Sequence, residues 1–281
     1  MIQDIYPHKL HNEYNPSARV QENSPILNIS NGKVLVHTEQ FDNGIVVFPL
    51  KKELPEELEY TYLFKVDDRE YFLWNEELSE DSIPKGYSYV EERSMCKENK
   101  GPCEEVFAVT TAKHLSDWYR DTCFCGRCGT KMVPHDKERA MSCPSCGYIA
   151  YPRIMPAVIV GVKNGDKILL TKYRTGFAHN ALIAGFTEIG ETAEETVMRE
   201  VMEETGIKVK NIHYYKSQPW GTANDLLLGF YCEVDGDDTI TMDRHELKYA
   251  EWVQREEIVL QPGNFSLTNE MMRRFKEGYE V

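Results

Sequence analysis

A helix crowded with carboxylates is the feature of this sequence that most restricts its fold. Thr192 and Glu195 have the spacing of a capping box, and Gly206 stands where a left-handed C-terminal cap is expected. These residues predict a helix from Ala193 to Thr205. Two valines spaced four residues apart form its apolar stripe, so one face packs on a core and the acidic residues face outward.

Three glutamates of this helix, Glu200, Glu203 and Glu204, lie within about one turn. Like charges at this spacing cost on the order of 0.2 to 0.5 kcal/mol per pair, and Arg199 alone cannot neutralise three carboxylates. Mg²⁺ takes hard oxygen ligands and completes its octahedron with water and substrate phosphate oxygens. The pattern therefore predicts a divalent-metal site. The alternative is a solvated acidic helix face, which is the commoner meaning of an acidic run.

Two cysteine pairs predict a zinc ribbon. Cys125 and Cys128 form the first CxxC motif, and Cys143 and Cys146 form the second after fourteen further residues. Each motif presents two thiolates, and two motifs close a tetrahedron around Zn²⁺. The site is expected to be structural, because four thiolates leave the ion no open position for water. A redox pair is the competing interpretation, and a ribbon alone is also compatible with a nucleic-acid-binding regulator.

Length and charge restrict the class of protein. The 281 residues suffice for one large domain or two ordinary ones, and the net charge of −14 argues against general affinity for nucleic acid. The segment 113–174 is basic, with 11 Lys and Arg against 5 Asp and Glu. It suits a polyanionic substrate or, equally well, pairs with the acidic flanks of its own fold. With no apolar membrane or signal segment and with paired thiols, we expect a cytoplasmic protein that contacts no membrane.

Three domains are expected along the chain. Short strand-like runs punctuated by turn residues predict a small, mostly antiparallel α+β domain over residues 1–121, which ends in a helix from Cys103 to Asp121. The zinc ribbon follows at 122–152. From 153 to 281, longer strands surround the acidic helix, with a hairpin turn at Asn164-Gly165 and a last helix near Thr268 to Gly278.

The stretch from Gly185 to Ile207 matches every fixed position of the Nudix hydrolase signature: a glycine, five residues, a glutamate, seven residues, then Arg-Glu-Val-Met-Glu-Glu-Thr-Gly-Ile. Tyr151-Pro152-Arg153 follows the last cysteine motif, and Ser217-Gln218-Pro219-Trp220 follows the signature. With the zinc ribbon in front, the chain resembles the NADH pyrophosphatase family of Nudix hydrolases. The resemblance implies an α+β chain whose Nudix domain is an α/β/α sandwich.

The resemblance also implies an activity. That family cleaves NAD(H) to NMN(H) and AMP, removes NAD caps from RNA in bacterial members, and is homodimeric with one structural zinc per chain. The alternatives are a related hydrolase of ADP-ribose, another dinucleotide or NAD-capped RNA. One departure concerns specificity: the family reads SQPWPFPxS, whereas here Trp220 is followed by Gly-Thr-Ala-Asn-Asp.

Residue roles follow from the same match. The family uses an aromatic at the position of Phe186 to stack on the nicotinamide ring, and Glu246 matches a further metal-ligand glutamate. The attacking water needs a base, which is either Glu204 or Glu246, while Arg199 orients the glutamates. The predicted site comprises catalytic Glu200, Glu203, Glu204, Arg199 and Glu191; substrate-binding Phe186, Gln218 and Trp220; and the Mg²⁺ or Mn²⁺ ligands Glu200, Glu203, Glu204 and Glu246.

Overall fold

The computed structural model describes residues 1–98, 101–174 and 179–279. The chain divides into two compact units. The N-terminal unit consists of Gln3–Arg153 and Gly221–Asn224, and the C-terminal unit of Met1–Ile2, Ile154–Trp220 and Asp225–Val281. None of the described helices has the length and apolar content needed to cross a membrane. The division into three domains at 1–121, 122–152 and 153–281 stays a prediction.

The N-terminal unit is built on a six-stranded sheet in the order β1-β4-β5-β2-β3-β6. All described pairings in it are antiparallel except that of β2 with β5. The segment from Gly44 to Leu50, which follows the short helix Thr38–Asp42, is irregular and forms none of these strands. The elements are β1 (Leu10–His11), β2 (Ile26–Ser30), β3 (Lys33–His37), β4 (Thr61–Val66), β5 (Arg69–Trp74), β6 (Tyr87–Glu91), α1 (Thr38–Asp42), α2 (Glu92–Glu98) and α3 (Cys103–Asp121).

The same unit contains the cysteine motifs. Three two-residue strands, β7 (Val133–Pro134), β8 (Met141–Ser142) and β9 (Ile149–Ala150), form an antiparallel sheet beside them. Its core is small, since it comprises Trp118 of α3, two methionines and two of the cysteines. A core of this size needs a bound metal for stability.

The C-terminal unit is an α/β/α sandwich, as predicted. Its sheet has the order β13-β14-β10-β11-β15, and β12 pairs with β10. Alternating residues of β10 point to opposite faces: Val158 and Val160 pack beneath α4, whereas Ile159 packs against α5. The elements are β10 (Met155–Asn164), β11 (Lys167–Tyr173), β12 (Ile183–Phe186), β13 (Val209–Trp220), β14 (Asp225–Val234), β15 (Leu247–Gln254), α4 (Ala193–Thr205) and α5 (Leu267–Lys276).

One local expectation in this unit, the position of the hairpin turn, is corrected. Asn164 pairs with Lys167, so the two-residue hairpin loop is Gly165-Asp166 rather than Asn164-Gly165, and Gly165 supplies the positive φ of 58°. The segment from Ile240 to Met242 forms no strand. It lies close to α4 instead, where the Thr241 backbone N–H donates to the Thr205 carbonyl oxygen at 2.8 Å.

Candidate metal and catalytic site

Helix α4 begins and ends at the predicted residues. Thr192 Oγ1 accepts a hydrogen bond from the Glu195 backbone N–H at 3.2 Å, and Glu195 Oε2 accepts one from the Thr192 N–H at 2.7 Å. Gly206 caps the other end with a left-handed φ of 71°. Val197 and Val201 are fully buried. This packing holds the glutamate-bearing face of α4 in one orientation relative to the sheet.

Gly185 of β12 lies directly against one of these glutamates. A Cβ atom at Gly185 would stand 1.9 Å from the Cδ of Glu200, well inside van der Waals contact. The glycine at the start of the signature therefore provides the space in which the Glu200 carboxylate lies.

We expect Gly185→Ala to displace Glu200 and to lower turnover about a hundredfold, because an ångström-scale misplacement of a reacting group has an effect of this order. Because the clash is with the far end of the flexible Glu200 side chain, which can move aside, the free energy of unfolding should fall by no more than about 1 kcal/mol. Steady-state kinetics and thermal melting measure the two effects separately. Wild-type turnover in this variant would mean that Glu200 need not lie against β12.

Arg199 holds the acidic side chains together. Its Nη1 donates to Glu200 Oε1 at 2.7 Å and to Glu203 Oε2 at 3.1 Å. Its Nε and Nη2 donate to the two carboxylate oxygens of Glu191 at 2.6 and 3.0 Å, and Nη2 also reaches the Phe186 carbonyl oxygen at 2.9 Å. One guanidinium thus ties the loop before α4 to two of its glutamates.

The Glu191 carboxylate accepts hydrogen bonds from three residues. Besides Arg199, its Oε2 accepts hydrogen bonds from the Glu188 backbone N–H and the Thr196 hydroxyl, both at 3.0 Å. The pKa of Glu191 is lowered to about 2, mainly by the hydrogen bond from the Arg199 guanidinium. This environment suits a residue that anchors the loop between β12 and α4 rather than a metal ligand.

Glu204 is the unusual carboxylate of the site. It is only 3% exposed, and its Oε1 accepts a hydrogen bond from the Tyr173 hydroxyl at 3.3 Å. Its Oε2 is buried and has no hydrogen-bond partner among the described residues. Burial, followed by the charge of Glu200, raises the pKa of Glu204 to about 8. A buried carboxylate oxygen without a donor is costly unless a cation binds it.

The charges of Glu200 and Glu246 act on Glu204, and that of Glu203 acts on Glu200. Burial raises the pKa of Glu200, and the negative charges of Glu203 and Glu246 raise it further. Glu246 is exposed, and its charge also raises the pKa of Glu204. In the part of the chain that the structure describes, the carboxylate oxygens of the four glutamates do not form a tight ligand group, since Glu200 and Glu203 turn toward Arg199. The four carboxylates nevertheless supply the hard oxygen donors that Mg²⁺ and Mn²⁺ prefer.

The three predicted substrate contacts differ in their surroundings. Phe186 is 53% exposed at the end of β12, and Trp220 is partly buried at the end of β13. Gln218 is fully buried: its Nε2 donates to the Phe265 carbonyl oxygen at 2.6 Å and its Oε1 accepts from the Leu267 N–H at 2.7 Å. The amide of Gln218 therefore joins β13 to the start of α5, and its substrate-binding role stays a prediction.

Four of the five residues that replace the family's proline-rich element, Gly221 to Asn224, belong to the N-terminal unit. A Cβ at Gly221 would lie 2.0 Å from the Thr110 carbonyl oxygen, so only glycine fits at this position. The Thr222 hydroxyl donates to buried Glu92 at 2.8 Å, and the Thr222 carbonyl oxygen accepts from Lys113 Nζ at 2.7 Å. The segment from Gly221 to Asn224 is thus specialised for packing on α2 and α3.

The four cysteines form the ligand set of a structural zinc site. Their sulfur atoms all lie within 4.8 Å of one another. The Sγ atoms of Cys125 and Cys146 are 3.6 Å apart, and those of Cys128 and Cys143 are 3.5 Å apart. Tetrahedral ligands at 2.3 Å from Zn²⁺ stand about 3.8 Å apart, so the cage has the right size. Nearby Cys123 is outside it, since its thiol contacts the Tyr119 carbonyl oxygen at 3.5 Å.

Comparison with known proteins identifies the two domains that carry these residues. Residues 153–275 match the family model described as "NUDIX domain", and residues 120–151 match "NADH pyrophosphatase zinc ribbon domain". The chain is 44% identical over 151 residues to proteins named "NAD-capped RNA hydrolase NudC" from Escherichia coli O9:H4 (strain HS) and Shigella boydii serotype 18 (strain CDC 3083-94 / BS512). These alignments cover 53% of this chain and 58% of each relative.

Among solved structures, a NUDIX hydrolase from Nitrosomonas europaea aligns with a TM-score of 0.48 at 22% sequence identity. The alignment covers 55% of this chain and 91% of that chain.

Proposed function

We propose that this chain, in which residues 153–275 match the NUDIX domain and residues 120–151 match the NADH pyrophosphatase zinc ribbon domain, hydrolyses the diphosphate bridge of NAD(H) to NMN(H) and AMP. The observation that carries the proposal is the buried, unpartnered Oε2 of Glu204 beside Glu200. A helix that merely faced solvent would have no reason to bury this oxygen without a donor.

We propose that Mg²⁺ or Mn²⁺ is held by Glu200, Glu203, Glu204 and Glu246. When bound, such ions polarise a diphosphate and lower the pKa of an attacking water. The fit rests on the donor set: four carboxylates, of which Glu204 lacks a donor for one oxygen and Glu203 is bound by a single hydrogen bond from Arg199 in the described residues. The zinc site is structural and takes no part in this reaction, because its four thiolates leave no open position for a substrate.

The chain's own residues have distinct roles in this proposal. Whichever of Glu204 and Glu246 does not bind the metal tightly accepts the proton of the attacking water, since a carboxylate that binds a metal tightly cannot also serve as a free base. The water oxygen bonds to one phosphorus, the bridging P–O bond breaks, and both products leave as monophosphates. Arg199 keeps the glutamates oriented, Glu191 anchors the loop before α4, and exposed Phe186 stacks on the nicotinamide ring.

Other substrates of the same chemistry are the second candidate. The relatives are named as NAD-capped RNA hydrolases, and the basic segment 113–174 is compatible with a polyanion. ADP-ribose and other dinucleotides share the scissile diphosphate. Because the residues after Trp220 differ from the family's specificity element, the activity test should include all of these substrates. A zinc-ribbon regulator that only binds nucleic acid is the third candidate, and the buried Glu204 argues against it.

Two further properties are part of the proposal. We propose a homodimer with one zinc per chain, which rests on the family resemblance alone. We also propose a cytoplasmic location, since thiolates that bind zinc persist in a reducing compartment.

The proposal is tested by incubating the purified, zinc-loaded protein and Mn²⁺ with NADH, NAD⁺, ADP-ribose, a dinucleoside polyphosphate and an NAD-capped RNA. Chromatography of the products should yield NMN(H) and AMP from the nicotinamide dinucleotides, at a higher kcat/KM than for the other small substrates. Faster cleavage of ADP-ribose or capped RNA would assign the second candidate instead. If no member of the set is cleaved, the chain is not a hydrolase of this class.

A further inference from the structure

The end of strand β11 lies beside two of the proposed metal ligands. Pairing of β11 with β15 is regular up to Lys172, which faces Tyr249, and then shifts so that Tyr173 faces Leu247. Lys248 is the extra residue of this β-bulge. Bulges commonly end regular pairing next to functional sites, and this one lies where the turn that carries Glu246 joins β15.

Tyr173 reaches the buried glutamate from this strand end. It lies four residues after Leu169, which packs in the core beneath α4, so alternation directs both side chains to the same face. Its hydroxyl has two acceptors within reach, Glu204 Oε1 at 3.3 Å and the Ala184 carbonyl oxygen at 3.5 Å. The carboxylate is the stronger acceptor for the single hydrogen. This contact engages Oε1 and leaves Oε2 for another ligand.

Arg174, the next residue, forms hydrogen bonds with the turn that carries the exposed Glu246. Its backbone N–H donates to the Glu246 carbonyl oxygen at 3.0 Å, and its side-chain Nε donates to the Arg244 carbonyl oxygen at 2.6 Å. The start of the same turn is tied to α4, because the Asp243 N–H donates to the Glu204 carbonyl oxygen at 2.9 Å. Tyr173, the last residue of β11, and Arg174, which follows it, therefore contact both carboxylate-bearing segments.

We propose that Tyr173 is a positioning residue that holds Glu204 in its metal-binding orientation, while Arg174 holds the Glu246 turn from the same strand end. The inference rests on the proposed function, since it concerns the proposed divalent-cation site. Tyr173 acts through Glu204 and contacts no substrate. Residues that orient metal ligands in this way commonly contribute about 10- to 100-fold to metal affinity.

The test is Tyr173→Phe, which removes only the hydroxyl. Calorimetric titration of Mn²⁺ into the zinc-loaded, full-length protein should give a dissociation constant about tenfold higher than that of the wild type. The Mn²⁺ concentration for half-maximal turnover should rise by a similar factor, whereas the KM for the dinucleotide at saturating Mn²⁺ should stay unchanged.

Tyr231→Phe is the matched control. Tyr231 is a buried tyrosine of the same unit, and its hydroxyl donates to the Met271 carbonyl oxygen at 2.7 Å in the core beneath α5. This variant should lose a comparable hydrogen bond and retain wild-type Mn²⁺ affinity. Arg174→Lys, an exposed change that retains the positive charge, should also weaken Mn²⁺ binding without loss of the core.

The outcomes separate the two proposals. If the wild type binds Mn²⁺ and cleaves a dinucleotide while Tyr173→Phe and Tyr231→Phe have equal Mn²⁺ affinities, the positioning role of Tyr173 is wrong and the proposed function stands. If the wild type neither binds Mn²⁺ nor cleaves any dinucleotide, the proposed function is wrong and the positioning role is overturned with it.

Discussion

Glu203→Gln is expected to reduce turnover of the dinucleotide by at least about a thousandfold. The change removes the charge of one proposed metal ligand, and metal ions contribute several kcal/mol to the stabilisation of such transition states, with each 1.36 kcal/mol equivalent to a factor of ten. The fold should be unaffected, because the Glu203 side chain is 61% exposed and contacts Arg199 at 3.1 Å. Steady-state kinetics at saturating Mn²⁺ measures the turnover, and zinc analysis and thermal melting measure whether the fold is retained.

Glu194→Gln provides the control for this loss. Glu194 is an exposed glutamate of the first turn of α4, so its substitution makes the same chemical change on the same helix away from the site. We expect wild-type turnover from it. Near-wild-type turnover in Glu203→Gln would show that Glu203 is not a metal ligand.

Cys143→Ser is expected to remove zinc and to destabilise the N-terminal unit. Cys143 is 3% exposed, and its sulfur lies 3.5 Å from that of Cys128. The ribbon has little apolar core of its own, so most of its stability must come from metal binding, which contributes about 10 to 16 kcal/mol in isolated zinc-finger peptides. A loss of even several kcal/mol should lower the melting temperature of this unit by at least about 10 °C.

The matched variant is Cys123→Ser. Cys123 is exposed, lies two residues before Cys125, and its thiol contacts the Tyr119 carbonyl oxygen instead of the other sulfur atoms. It should retain one zinc per chain and the wild-type melting temperature. A Cys143→Ser protein that lacks zinc yet melts like the wild type would make the metal dispensable for folding.

Features set by local chemistry were predictable from the sequence. The ends of α4 follow from Thr192, Glu195 and Gly206, whose effects reach only three or four residues along the chain. The zinc cage likewise follows from two CxxC motifs, each of which brings two thiolates together by itself. In both cases spacing along the chain determines the geometry, so no knowledge of the tertiary fold was needed.

Features that depend on distant contacts were not predictable. Tyr173 and Glu204 are 31 residues apart in sequence, and Thr222 meets Glu92 across 130 residues. Gln218 was assigned to the substrate because it belongs to a motif, whereas its burial depends on how the start of α5 packs on β13. Sequence patterns name the residues of a site more readily than they reveal which side chains face it.

The central claim is that the carboxylates around Glu204 form a divalent-cation site that binds a diphosphate. The most direct measurement is anomalous diffraction from crystals soaked with Mn²⁺ and a nonhydrolysable dinucleotide analogue. The account predicts manganese peaks about 2.0 to 2.2 Å from oxygens of Glu200, Glu203, Glu204 or Glu246 and from the analogue's phosphate oxygens. Full occupancy of the analogue with no manganese at these carboxylates would contradict it.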